Sequence, residues 1–138
     1  MANVANLDTS TRLDITCRRG DTFELDLDVK SSGGTALDVS TSEYTFHMEV
    51  RTADTEDTET LTEDAIVLST RDSSDTNNKQ ITVDQTGGAN GDLKFKCTAS
   101  NMKRVASGLY VYDIQADDGS SVTTWLRGIF KVNEDITI

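Results

Sequence analysis

The sequence predicts an all-β sandwich, and three observations carry that prediction. Apolar and charged residues alternate with period two over several short segments. Clusters of Gly, Ser, Asp and Asn separate those segments, and near the C-terminus two long aromatic segments are joined by a short polar turn. Counting the segments gives roughly eight strands and one short helical turn, the profile of packed antiparallel sheets.

The C-terminal hairpin, residues 109–132, is the best-specified unit. In extended chain Tyr110, Tyr112, Ile114 and Ala116 share one face, because side chains alternate across a strand. Asp117, Asp118, Gly119 and Ser120 tolerate tight-turn backbone and reverse the chain. On the return strand Leu126, Gly128, Phe130 and Val132 share one face, and Trp125, Arg127, Ile129 and Lys131 the other. If that alternation holds, Trp125, Arg127 and Ile129 are exposed and form a candidate partner interface, since aromatics and Arg are enriched where proteins meet. A bulge near Gly128 would instead turn Trp125 into the core. Leu7, on the N-terminal arm, joins the candidate interface.

Residues 1–12 are small and polar without a sustained period and read as an arm; residues 13–138 read as one domain. Leu13, Ile15 and Cys17 alternate with polar neighbours in a first short strand. Arg18, Arg19, Gly20 and Asp21 form a turn. Phe23, Leu25, Leu27 and Val29 then point one way, and Glu24, Asp26, Asp28 and Lys30 the other, the pattern of an antiparallel sheet with one wet face. A Gly-Ser turn and a short extended piece, residues 36–39, lead to a strand with Tyr44, Phe46, Met48 and Val50 inward. His47 falls on its outer face with Thr45, Glu49 and Arg51.

Residues 52–64 are rich in Thr, Asp and Glu and read as a long acidic loop. Strands follow at residues 65–70, around Ile81 and Val83, and at residues 93–97 with the odd positions inward. Residues 100–108 are the helical candidate, with Ser100 as cap, Met102 and Val105 on one face and Gly108 at the end. Proline is absent, so charge must protect the sheet edges, and Glu24, Asp28, Lys30 and Arg51 are placed to do so.

At 138 residues one core suffices. The balance of 13 basic against 24 acidic residues, net −11, argues against nucleic acid and against an anionic membrane surface, both of which need clustered Lys and Arg. The N-terminus lacks the basic and apolar regions of a secretory signal, and no run approaches the ~18 apolar residues of a membrane span. Synthesis in the cytoplasm is expected. Cys17 and Cys97 read as two buried thiols, with an inter-sheet disulfide as the alternative.

No catalytic constellation emerges. His47 has no second His or matched nucleophile beside it, and neither Cys belongs to a Cys-x-x-Cys motif. The acidic residues at 54–59 do not follow the spacing of a calcium loop, so no metal is expected, and no cofactor motif occurs. Arg19, Gly20 and Asp21 match a receptor-recognised tripeptide but read as a turn.

Four segments stand in a suggestive order: Arg19 to Phe23 opening an alternating strand, Tyr44 to Arg51, Gly108 to Ile114, and Gly128 to Val132. In that order the chain resembles the immunoglobulin-like domain of baseplate upper proteins of tailed bacteriophages and related tail or neck components. The resemblance spans residues 13–137. It implies an immunoglobulin-like antiparallel β-sandwich and a non-enzymatic virion subunit, made in the host cytoplasm and present in multiple symmetric copies. Its partners would be other phage virion proteins, with no nucleic acid, membrane or cofactor. Relatives carry the domain as an N-terminal anchor ahead of receptor-binding or linker regions. An end at Ile138 leads to the expectation of an accessory subunit on tail, baseplate or neck, or a capsid decoration protein of the same fold. The alternative of another class is a carbohydrate- or receptor-binding module, which needs an exposed aromatic platform such as Trp125.

Overall fold

The computed structural model describes residues 11–31, 33–52, 66–70 and 80–134. The strands are β1 (Thr11–Arg12), β2 (Ile15–Arg18), β3 (Phe23–Asp28), β4 (Thr45–Thr52), β5 (Ile66–Ser69), β6 (Ile81–Asp84), β7 (Asp92–Cys97), β8 (Gly108–Asp117) and β9 (Val122–Asn133). A 3-10 turn at Gly88–Asn90 precedes β7, and a single helical turn, α1 (Ala99–Met102), follows it.

The hairpin forms as its sequence dictates. Tyr110, Tyr112, Ile114 and Ala116 are all buried. At the turn the Asp118 carboxylate accepts the backbone N–H groups of Ser120 and Ser121 at 2.9 and 2.8 Å, while Gly119 takes a left-handed φ of 93°. Those amides, Ser121 first, hold the exposed Asp118 carboxyl below its ordinary range.

Two sheets result. The larger has the order β1-β9-β8-β4-β5, with β2 also on β9, and the smaller has the order β3-β7-β6. This is the strand order of an immunoglobulin variable-type sandwich: β3, β7 and β6 stand where strands B, E and D do, and β9, β8, β4 and β5 where G, F, C and C′ do. Tyr110, near the start of β8, donates its hydroxyl to Ala106 O at 2.6 Å, the tyrosine corner of that architecture.

Aromatic rings close the space between the sheets. Phe23 of β3 meets Phe130 of β9 edge-on with centroids 5.3 Å apart, and Phe95 of β7 meets Phe46 of β4 at 6.4 Å. Met102 and Val105, around α1, are buried against the same core. The cap of α1 is Thr98, whose hydroxyl accepts the Asn101 N–H, rather than Ser100; Gly108 begins β8 and does not end the helical turn.

Two further differences from the sequence expectation, and the choice between its two placements of Trp125, have physical causes. The first strand pairs in parallel with β9, starting at Thr11 opposite Leu126 and resuming with Ile15 opposite Phe130. A period-two pattern fixes the face of a strand and leaves its direction open. A bulge also lies beside the hairpin register: Ile114 pairs with Leu126 and Gln115 with Thr124, so Trp125 is the extra residue. It turns inward, its ring 5.2 Å from Tyr44 and 5.4 Å from Phe46. Finally, Arg51 protects no edge, because β4 lies between β8 and β5.

The gap between β1 and β2 is seated by specific atoms. Leu13 N–H donates to Arg127 O at 2.9 Å, Asp14 Oδ1 accepts Ile129 N–H at 3.0 Å, and the Tyr112 hydroxyl donates to Leu13 O. Gly128 makes room for this crossing: a Cβ there would lie 2.3 Å from Leu13 O. Gly128→Ala should therefore unseat the first strand. We expect a loss of roughly 1–3 kcal/mol in denaturant unfolding, with faster hydrogen exchange at Ile129; an unchanged midpoint would contradict this seating.

Candidate functional site

In a five-strand-wide sheet the outward residues of the middle strands are covered by their neighbours on both sides, even where the sequence reads them as wet. The larger sheet shows this on its outer face. Cross-strand register lines up Ser69, Glu49, Asp113 and Arg127 in one row across β5, β4, β8 and β9. The next row carries Arg51, Val111 and Ile129, and the row on the other side His47, Gln115 and Thr124.

Electrostatics follow from that layout. Arg51 Nη2 donates to Glu49 Oε2 at 2.7 Å, with the Glu49 side chain only 10% exposed. Asp113, directly opposite Glu49, has its carboxyl pushed above the ordinary range by desolvation first and by the Glu49 charge second, with Arg51 pulling the other way. Among the described residues His47 Nδ1 and Arg51 Nη1, both buried, find no hydrogen-bond partner. Beside these charges, Leu109 is 59% and Val111 37% exposed. The face is thus a half-desolvated ionic cluster flanked by aliphatic side chains held out to water. The smaller sheet differs: there the exposed Glu24 and Asp26 of β3 stand opposite the half-buried Lys96 and Lys94 of β7, a ladder of opposite charges.

The candidate residues divide accordingly. Arg127 is exposed and Ile129 half-buried, both on this face. Trp125 leaves it for the core side, and Leu7 lies outside the described residues. Leu109, Val111 and Asp113 were missed as interface candidates. The signal was present: two aliphatic residues at outward positions of an otherwise well-patterned strand. The acidic stretch weighed as a calcium loop lies, beyond Thr52, outside the described residues. Among the described residues no group of three or more His, Cys, Asp or Glu side chains gathers to hold a metal ion. Arg19, Gly20 and Asp21 form the turn into β3, Gly20 with a φ of 86° and the Arg19 guanidinium donating to Lys103 O at 3.0 Å.

Both cysteines are free thiols, one on each sheet; Cys97 is buried as expected, whereas Cys17, on a strand that pairs only with β9 among the described residues, is half-buried. Burial first, then the neighbouring Asp21, pushes Cys17 up to about 11; burial first, then the Cys17 thiol, pushes Cys97 up to about 11. Neither is a nucleophile at neutral pH.

Comparison with protein-family models and with curated proteins finds no match to this chain. The fold defines its class, an immunoglobulin-like β-sandwich.

Two outcomes are expected. Folding raises both thiol pKa values from 9.0, so the folded chain holds these protons more tightly; that stability is full below pH 9 and is lost as the pH climbs toward 11. Alkylation by iodoacetamide at neutral pH should accordingly be roughly a hundredfold slower in the native than in the denatured chain, and comparable rates would contradict the burial. Asp113 likewise favours its protonated form, so its contribution is present below pH 3.8 and is lost as the pH rises through its elevated folded value. Asp113→Asn should raise the thermal midpoint at pH 7 and lose that advantage in acid; no gain at pH 7 would contradict it.

Proposed function

We propose that the protein is a non-enzymatic structural subunit of a tailed-bacteriophage virion that attaches to other virion proteins through the outer face of its larger sheet. The observation that carries this reading is the juxtaposition of exposed Leu109 and Val111 with the half-desolvated cluster of Glu49, Asp113 and Arg51, which spans two adjacent rows. Burying aliphatic surface is favourable, and an ion pair already withdrawn from water, as Glu49 and Arg51 are, costs less to cover than solvated charges. The ordered segments that resemble phage immunoglobulin-like proteins supply the setting. Repetition on a symmetric particle would multiply a modest single contact.

The sugar-binding alternative is the less favoured reading, because half-buried Trp125 packs against Tyr44 and Phe46. Tail, baseplate, neck and capsid sites are separated by where the protein sits on the particle.

The test is co-purification with intact particles, followed by add-back to particles lacking the protein. A fixed copy number is expected, and Val111→Asp should lower occupancy about tenfold or more while preserving the fold. Absence from particles, or equal attachment of the variant, would overturn the reading.

A further inference from the structure

The two lateral sides of the sandwich are finished differently. On one side β5 and β6 are stitched together: Ser69 N–H donates to Gln80 Oε1 at 3.1 Å, and Gln80 N–H donates to Ser69 O at 3.2 Å. Gln80 thereby occupies backbone groups that a foreign strand would otherwise pair with. On the other side the chain passes from β2 in the larger sheet to β3 in the smaller one. Among the described residues the first strand runs along β9 only, through both its pieces. Among the described residues β3 is paired on one side only, with β7.

This open edge has a defined chemistry. On its inner side Leu25 and Leu27 are half-buried, whereas Leu93 and Phe95 opposite them in β7 are fully buried. Across the seam Leu13 is 38% exposed and Ile15 half-buried. The core is therefore incompletely covered along this side. On its outer side Glu24, Asp26 and Asp28 are all exposed.

We propose that the edge of β3 receives an extended strand of a partner protein, alternating aliphatic with basic residues. Its backbone continues the smaller sheet, its aliphatic side chains cover Leu25 and Leu27, and its Lys or Arg side chains stand beside Glu24, Asp26 and Asp28. The same three carboxylates repel a second copy of β3, so the edge that invites a basic strand rejects self-pairing. The net charge of −11 draws a basic segment from a distance. The proposal is independent of the larger sheet's outer face and of the virion reading, and holds in any setting where the chain folds.

The probe is a capped seven-residue peptide with Thr at both ends and alternating Val and Lys between them, titrated into the full chain. The control replaces each Lys with Glu. Backbone amide NMR shifts and hydrogen exchange are the readouts, at two salt concentrations. The Lys peptide should shift β3 amides and slow exchange at alternate β3 residues, more strongly at low salt, and the Glu peptide should bind at least tenfold more weakly. Asp26→Asn should weaken the Lys peptide roughly two- to fivefold. Should that variant misfold, the paired peptides on the wild-type chain decide alone. No change in β3 at millimolar Lys peptide, equal binding of the two peptides, or shifts confined to another surface would overturn the proposal.

Discussion

Phe130 is the point on which both layers rest. Its ring is fully buried, meets Phe23 of the opposite sheet at 5.3 Å and Tyr112 of the adjacent strand at 6.3 Å, and lies on a strand flanked by β8 and β2. Removing such a ring from a packed core typically costs about 3–5 kcal/mol, a large share of the stability of a domain this size. Because β9 carries Phe130, every feature that fixes the register of β9 also fixes how the sheets close. The Asp118 turn does so from one end, and the seating of Leu13 over Gly128 from the side.

The same arrangement sorts the molecule's surfaces. On the outer face of the smaller sheet the exposed Glu24 and Asp26 face the half-buried Lys96 and Lys94, while Asp28 faces Asp92. The larger sheet is wider, so its central outward positions are partly withdrawn from water. Glu49, Arg51 and Asp113 become a compact ionic cluster across two rows rather than scattered surface charges, and Val111 stands opposite Arg51. A surface of this kind suits a partner's face, whereas the seam beside β3 suits a single strand. The two proposed docking surfaces therefore differ in chemistry, one offered to a partner's face and the other to a single strand.

Much of this was legible in the residues. The alternation at Phe23 to Leu27 and at Tyr110 to Ala116 identified core and solvent faces, and the Asp-Asp-Gly-Ser run located the hairpin turn. What alternation does not encode is where a strand lies within its sheet. Glu49 and Arg51 read as wet because they point outward, but their strand is flanked on both sides. It also does not encode direction, so the parallel docking of Thr11 and Ile15 on β9 was invisible. The bulge at Trp125 adds one residue to one strand with no compositional mark, which is why two opposite placements of that ring were equally open. Its inward turn leaves Leu109 and Val111 as the exposed aliphatic pair on the outer face of β8.

Native-state hydrogen exchange on the full chain tests the layered arrangement most directly, since protection depends on how many neighbours each strand has. β8, flanked by β4 and β9, should show continuous slow exchange from end to end, whereas β3 should alternate between protected and rapidly exchanging amides. Continuous protection along β3, or exchange in β8 as fast as in β3, would contradict both the strand order and the open edge.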